Sequence, residues 1–290
     1  MARETHEDRQ LSGGQTEWAL MLWRAYLTGD HSQLDVKVKA IRRVFKRLPS
    51  DPRCRVCNAP FHGLGGAAVS LIGFGAGRSS FNPSLCDRCE KTVKHYQVGA
   101  EVQLTLLFAY VRGSTQLAEE AGASAFHHLI NRFYTASTEI LVQSNALIDK
   151  LIGDEVAGLY LPGIAGPDHA RIAVDAARAL LKATGHADTA GPWIKVGVGL
   201  HTGTAYVGAV GSSQSVSDIT VLGDVANTTA RLASQAGVGE ILVSEETRHG
   251  AGLSLDHCES RLLELKGRSQ PVTVRVIPVM GCGETTSIAR

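Results

Sequence analysis

The sequence has 290 residues, a formal net charge of +1 and 44% hydrophobic residues. This composition predicts a folded chain with one main domain and a smaller appendage, and it excludes both general disorder and a global charge that would attract nucleic acid. The first ten residues lack an apolar core, and the longest apolar-rich stretch, residues 67–77, is too short to span a bilayer. A cytoplasmic protein with no membrane partner is therefore expected.

Residues 1–50 are predicted to form an N-terminal helical segment. Two helices are expected within residues 13–48, separated by Gly29-Asp30. The second has an apolar stripe at helical spacing, and its other face carries the basic residues Lys39, Arg42, Arg43, Lys46 and Arg47. Such a face could bind nucleic acid or an acidic partner. A solvated helix surface is the favoured interpretation, because the net charge is close to zero.

Residues 51–97 are predicted to form a small separate unit stabilised by metal. They contain two CxxC pairs, Cys54 with Cys57 and Cys86 with Cys89, around a glycine-rich insert that could hardly build a core. Four thiolates on one tetrahedral Zn²⁺ would supply stability, and such a closed site leaves no open position for catalysis. An iron–sulfur cluster is the alternative metal group, and four reduced cysteines without metal are the remaining possibility.

Residues 98–280 alternate between strand and helix patterns, and residues 281–290 are expected to form a flexible tail. Strands are predicted at 102–111, 217–222, 240–243, 261–265 and 272–278, with hairpins at 146–161 and, about Gly203, at 193–210. Helices are predicted at 124–145, 169–184 and 224–236. The order β-α-β-β-α-β predicts an α+β, ferredoxin-like, antiparallel-rich sheet with helices packed on one face.

Residues 104–115, LTLLFAYVRGST, form a predicted corner between a buried strand and a helix. Ser114 and Thr115 are the expected N-cap residues of that helix. Exposed amides and a positive helix dipole at such a corner can bind phosphate, although many such corners bind nothing.

Three later segments carry polar residues suited to nucleotide chemistry. Asp154 lies in the tip of the first hairpin, four residues after Lys150. Asn227 and Arg231 are spaced i, i+4, on one face of a helix, and Lys266 ends a strand. Taken alone, each of these residues could be an ordinary turn or surface residue.

Together these segments resemble the catalytic domain of class III nucleotidyl cyclases over about residues 100–278. FAYVRGST is similar to the family's F-A-D-[IV]-R-G-S-T, and IDKLIGDEVAGLYLP to its metal-carrying hairpin. GVGLHTGTAYVGAVG, TVLGDVANTTARLAS and ELKGRSQPV are similar to three further family segments in the same order.

The resemblance implies a head-to-tail homodimer with active sites at its interface, converting a nucleoside triphosphate to a cyclic nucleotide. Asp154 matches one of two aspartates that hold paired Mg²⁺ or Mn²⁺ ions. Asn227 matches the residue that orients the ribose. Arg231 matches the residue that stabilises the pentavalent transition state.

The resemblance also implies how the substrate is bound. Lys150 and Thr220 match the pair that reads the purine, and this pair favours ATP. Lys266 matches a lysine that contacts phosphate, with Arg268 as a nearby substitute. The amides of Val111, Arg112, Gly113 and Ser114 would cradle the β and γ phosphates.

The departure from the family is Tyr110, where the second metal-binding aspartate belongs. A neutral phenol is a poor ligand for a hard divalent cation. Strand alternation predicts that Glu155 points away from the side that Asp154 uses, so Glu155 is not expected to replace the missing carboxylate.

Two functions follow as hypotheses. The first is an adenylate cyclase, weakened by Tyr110, that acts as a homodimer with catalytic Mg²⁺ or Mn²⁺ and structural zinc. The second is a catalytically silent cyclase-like protein that binds nucleotide or forms a heterodimer with an intact cyclase. A protein that binds nucleic acid is a distant third, because the chain has no basic excess.

Overall fold

The computed structural model describes residues 13–74, 77–79, 82–211, 217–264 and 271–279. In the described part of the chain, four helices precede the sheet: α1 (Gly13–Thr28), α2 (Val36–Arg47), α3 (Gly63–Leu71) and α4 (Asp87–Tyr96). Asp35 caps α2 by accepting a hydrogen bond from the Lys37 amide at 2.6 Å. The two predicted N-terminal helices are confirmed, and the glycine-rich insert contributes a helix of its own, α3. The predicted tail, residues 281–290, lies outside the described residues.

The remainder of the described chain alternates between strands and helices. Its first half contains β1 (Gly99–Val111), α5 (Ser114–Ala121), α6 (Ala123–Gln143), β2 (Leu147–Ile152), β3 (Glu155–Tyr160), α7 (Pro162–Ala165) and α8 (His169–Ala183). Its second half contains β4 (Val196–Gly211), β5 (Ser217–Leu222), α9 (Asp224–Gln235), β6 (Glu240–Ser244), α10 (Glu245–Gly250), β7 (Ser260–Leu263) and β8 (Val272–Pro278).

The strands form one sheet in the order β2-β3-β1-β4-β6-β8-β7, with β5 paired to the far end of β4. The first four strands have the ferredoxin-like arrangement that the β-α-β-β-α-β order predicts. Among the pairings between named strands, β4 with β6 is parallel and the others are antiparallel. The predicted α+β, antiparallel-rich fold is confirmed.

The predicted hairpin about Gly203 is wrong, because β4 is a single strand. It pairs with β1 without interruption from Gly208 opposite Gly99 to Val196 opposite Val111. A Cβ atom at Gly203 would lie 2.8 Å from a methyl group of Val225 on α9. The glycine therefore permits the close approach of a helix, and no turn is needed there.

Helices cover both faces of the sheet, whereas the sequence predicted helices on one face. Leu107 and Ala109 of β1 pack in the same cluster as Phe133 of α6 and Val174 of α8. The alternate β1 residues Leu104, Leu106 and Phe108 belong to a second cluster, which includes Ala233 of α9 and Trp23 of α1. Because β1 is buried on both faces, it reads as an apolar run without alternation.

The N-terminal helices and the four-cysteine unit (residues 51–97) share the sheet's core. A single cluster joins Trp23, Cys54 and Cys57 to Leu104 and Val207. The indole Nε1 of Trp23 donates to the Val207 carbonyl oxygen at 2.9 Å, and both groups are buried. The predicted boundaries at residues 50 and 97 therefore divide the sequence without dividing the hydrophobic core.

No described helix combines the length and apolar character that crossing a membrane requires.

Candidate active site

The corner between β1 and α5 is built on Gly113, which has φ of 67° and is the N-cap residue of α5. The predicted caps Ser114 and Thr115 lie instead inside the helix. The amide of Val111 donates to the Asp154 carbonyl oxygen at 3.0 Å, and that of Arg112 to the Lys195 carbonyl oxygen at 2.8 Å. Both amides are engaged within the fold, and among the four amides of the predicted phosphate cradle only those of Gly113 and Ser114 have no described acceptor outside α5.

Tyr110 and Glu155 face each other across β1 and β3. They are direct partners in the strand register, and the Tyr110 hydroxyl donates to Glu155 Oε2 at 2.6 Å. Burial and this hydrogen bond raise the pKa of Tyr110 above its ordinary value, so the phenol stays neutral. Glu155 therefore lies on the face of the sheet that carries the side chain of position 110, which the expectation from strand alternation did not anticipate. Asp154 is a turn residue, and strict alternation does not extend through a turn.

Asp154 is held at the hairpin tip by the same corner. The Ser114 hydroxyl donates to Asp154 Oδ2 at 2.5 Å, and Tyr134 of α6 donates to the carbonyl oxygen of Gly153 at 2.9 Å. The other carboxylate oxygen of Asp154 has no hydrogen-bond partner among the described residues. Asp154 is thus positioned by one hydroxyl and keeps an oxygen available for a cation.

Arg112 connects the corner to α9. Its guanidinium donates to the carbonyl oxygens of Ala233 and Ser234 and lies 5.9 Å from the centre of the Tyr110 ring. Burial lowers the pKa of Arg112, and Asp154 opposes that shift. A cation at these carbonyls stabilises the C-terminal end of the α9 dipole. The side chain of Arg112 therefore serves the packing of α9 against β1.

The second group of predicted site residues lies on β5 and α9. Thr220 Oγ1 on β5 is buried and has no hydrogen-bond partner among the residues that the structure describes. Asn227 is exposed and Arg231 half-buried, one helical turn apart on α9. Their side chains make no hydrogen bond or ion pair with any residue that the structure describes. An unused amide and an unused guanidinium side by side can bind a hydroxyl and a phosphoryl group.

Some predicted residues cannot be placed. Lys266 and Arg268 lie outside the described residues, and so does the side chain of Lys150, whose backbone belongs to β2. Sequence reasoning missed the partnership of Ser114 with Asp154 and that of Tyr110 with Glu155. The second could have been found by pairing the hairpin against β1, which places positions 110 and 155 opposite each other.

The residues present fit a hard divalent cation. Asp154 and Glu155 each accept one hydroxyl through one oxygen, and the second oxygen of each has no described partner. Mg²⁺ is commonly held by one or two carboxylates, with substrate phosphates and water completing its coordination. The two carboxylates beside the β1–α5 corner meet that requirement.

The four cysteines come together as predicted, and their Sγ atoms all lie within 4.8 Å of one another. Cys57 Sγ and Cys86 Sγ are 3.8 Å apart, which is about the separation that tetrahedral Zn–S bonds of about 2.3 Å impose. The Cys86 amide donates to Cys54 Sγ at 3.3 Å, and the Cys89 amide donates to Cys86 Sγ at 3.4 Å. Four converging sulfurs, two of which accept amide hydrogen bonds, fit a tetrahedral metal ion.

Comparisons with known proteins agree with this arrangement. An adenylate cyclase of Anabaena cylindrica is 30% identical over 146 residues, which are 48% of this chain and 29% of that protein. The chain thus spans less than a third of that relative. The crystal structure of the adenylyl cyclase CyaB from P. aeruginosa matches with a TM-score of 0.55 and 29% identity, over 62% of this chain and 96% of that one. The guanylyl cyclase Cya2 matches in fold, with a TM-score of 0.57 and 24% identity, over 66% of this chain and 98% of that one.

The family model for the adenylate and guanylate cyclase catalytic domain matches residues 97–277, more than half of the sequence. This range contains the β1–α5 corner, the β2–β3 hairpin and α9. The chain belongs to the class III adenylate and guanylate cyclase catalytic-domain family.

Proposed function

We propose that the protein is an adenylate cyclase, which converts ATP to 3′,5′-cyclic AMP and pyrophosphate. In this reaction the ribose 3′-oxygen loses its proton and bonds to the α-phosphorus, while the bond from that phosphorus to the pyrophosphate oxygen breaks. The reaction therefore needs groups that orient the ribose and groups that receive charge on the phosphoryl oxygens.

The observation that carries this proposal is the pair Asn227 and Arg231 on α9. Asn227 is exposed and Arg231 is half-buried, and neither side chain has a hydrogen-bond or charged partner in the described part of the chain. Asn227 would bind the ribose, and the guanidinium of Arg231 would stabilise the charge that develops on the transferring phosphoryl group.

The divalent cation would be held by Asp154 at the hairpin tip. When bound, Mg²⁺ or Mn²⁺ neutralises phosphate charge and lowers the pKa of the attacking hydroxyl. Ser114 fixes the Asp154 carboxylate, and the first amides of α5 provide donors for the substrate's terminal phosphates.

ATP is the proposed substrate because of Thr220 and Lys150. A buried Thr220 Oγ1 without a partner is costly unless a ligand group completes its hydrogen bonding, and a purine edge would do so. Lys150, on the neighbouring β2–β3 hairpin, would donate to the ring. Lys266 stays a proposed phosphate ligand.

The proposed active assembly is a homodimer in the cytoplasm. Apolar side chains are exposed on the hairpin and on the β4–β5 pair, at Leu151, Ile152, Tyr206, Val210 and Leu222. Such side chains are typical of a surface that a partner covers. A second copy would bring its own α9 to this hairpin.

We further propose that the four cysteines hold a structural Zn²⁺. The closed set of four thiolates offers no open coordination position, so the ion would stabilise the fold without taking part in catalysis. The iron–sulfur alternative differs in colour and in its iron content, so metal analysis separates the two.

Arg231→Ala provides the test of the proposed activity. Cyclic AMP formed from ATP with Mn²⁺ should fall about 100-fold or more, since the transition state loses a charged donor. Gln235→Ala, an exposed position on the same helix, should leave turnover unchanged. Equal activity in wild type and Arg231→Ala would overturn the proposal.

A second candidate function, a silent cyclase-like protein that binds nucleotide, is favoured by Tyr110. A neutral phenol occupies the position of a metal carboxylate. Comparison of wild type with Tyr110→Asp separates the two functions. A wild type without turnover, with activity appearing only in Tyr110→Asp, would favour the silent protein.

A further inference from the structure

Two neighbouring carboxylates are bound to the β1–α5 corner in the same way. Ser114 donates to Asp154, and Tyr110 donates to Glu155, in each case through a hydroxyl and to one carboxylate oxygen. Tyr110 lies near the end of β1, and Ser114 is the first residue of α5. Each of the two carboxylates is therefore held by a hydroxyl group of this one corner.

We infer that Glu155 supplies the second metal-binding carboxylate of this protein, and that Tyr110 is a positioning residue that orients it. In the family pattern the carboxylate is on β1, at position 110. In this chain position 110 carries the hydroxyl, and the residue directly opposite on β3 carries the carboxylate. The carboxylate is therefore on β3 in this chain, directly opposite the β1 position that carries it in the family pattern.

The geometry explains why the tyrosine is suited to this role. Its neutral hydroxyl can donate one hydrogen bond to Glu155 Oε2, which leaves Oε1 without a described partner. Metal-binding carboxylates are commonly fixed by a hydrogen bond of this kind, and loss of the donor costs about 10–100-fold in metal affinity. Glutamate is also longer than aspartate by one methylene group, which increases its reach from β3.

This inference rests on the proposed function only for the presence of a divalent cation at Asp154. Its test therefore measures Mn²⁺ binding to the full chain by the loss of the free Mn²⁺ signal in electron paramagnetic resonance, without turnover. Glu155→Gln should weaken Mn²⁺ binding about 100-fold and Tyr110→Phe about 10-fold. Glu119→Gln, at an exposed position on α5, is the matched control and should bind like wild type.

A double variant distinguishes a metal ligand from a residue that matters only for folding. Tyr110→Asp combined with Glu155→Gln returns the carboxylate to β1 and should regain at least 10-fold of the affinity that Glu155→Gln loses. Melting temperatures of all variants check that the fold is retained. Asp154→Asn should abolish Mn²⁺ binding, and this loss would show that the Mn²⁺ measured is bound at Asp154.

The inference is overturned if wild type binds no Mn²⁺, or if Asp154→Asn loses Mn²⁺ while Glu155→Gln binds it like wild type. Failure of the proposed cyclase activity looks different: Mn²⁺ binding would depend on both carboxylates, yet no cyclic nucleotide would form. The two proposals can therefore fail separately.

Discussion

Ser114 donates its hydroxyl to Asp154 Oδ2 at 2.5 Å, and this bond joins the first residue of α5 to the tip of the β2–β3 hairpin. It is a contact between the predicted phosphate corner and the predicted metal ligand. The backbone supports it through the Val111 amide, which donates to the Asp154 carbonyl oxygen. Two elements that are 40 residues apart are thus held as one unit.

The first prediction concerns this bond. Ser114→Ala leaves the backbone contact intact but frees the Asp154 carboxylate to rotate. We expect the Mn²⁺ concentration for half-maximal cyclic AMP formation to rise about 10–100-fold, with a smaller change in the activity at saturating Mn²⁺.

Thr115→Ala is the matched control for Ser114→Ala. Thr115 is the next residue of α5, is exposed and has no described side-chain hydrogen bond. An equal response of both variants to Mn²⁺ would show that the hydroxyl of Ser114 has no special role.

The fold was largely predictable because β1 and the β2–β3 hairpin have clear apolar patterns and turn residues. The arrangement of the first four strands followed from the β-α-β-β-α-β order, and the clustering of four cysteines followed from their spacing. The error at Gly203 has a physical cause, because a glycine that accommodates Val225 of α9 looks the same in sequence as a glycine in a turn. Only the packing distinguishes them.

The site was less predictable, for reasons that two residues illustrate. Glu155 was misplaced because alternation was extended from Asp154 through a turn, where it does not hold. The availability of the Val111 and Arg112 amides depends on Asp154 and Lys195, which are distant in sequence. Hydrogen-bond partners of this kind are set by the tertiary structure, and local patterns do not contain them.

The second prediction concerns the attachment of α1 to the sheet. Trp23→Phe removes the indole donor to the buried Val207 carbonyl oxygen, which should lower the free energy of unfolding by about 1–3 kcal/mol. Chemical denaturation measures this change. Trp18→Phe is the matched control, because Trp18 on the same helix is 37% exposed and makes no described hydrogen bond through its indole. Equal effects of the two substitutions would mean that the hydrogen bond to β4 contributes little.

The third prediction concerns the four-cysteine unit. We expect one zinc ion per purified chain, measured by plasma mass spectrometry, and we expect Cys86→Ser to lose it. Because Cys86 is fully buried in the core that the unit shares with the sheet, loss of the ion should lower the melting temperature of the whole chain.

Ser70→Ala, an exposed position on α3 in the same unit, should retain both the zinc and the melting temperature. Iron in place of zinc would favour the cluster alternative. Absence of any metal from wild type would contradict the metal site.

The fourth prediction concerns stability at mildly acidic pH. His169 begins α8 beneath the sheet, is buried, and its Nδ1 lies 2.9 Å from the Thr105 hydroxyl. Burial lowers the pKa of His169 below its ordinary value of 6.5, and neighbouring Asp168 opposes the shift only in part. The unfolded chain therefore binds a proton at a pH where the folded chain does not. The stability that neutral His169 contributes is complete above about pH 6.5 and is lost as the pH falls below it.

We therefore expect the free energy of unfolding to fall between pH 7.5 and 5.5, with a shallower fall in His169→Gln. Part of the pH dependence of the free energy of unfolding should persist in His169→Gln, because burial also lowers the pKa of His186. His128→Gln, at an exposed position on α6, should retain the wild-type slope. Denaturation curves at several pH values measure these slopes. A slope in His169→Gln as steep as that of wild type would show that His169 is not the group that couples protonation to unfolding.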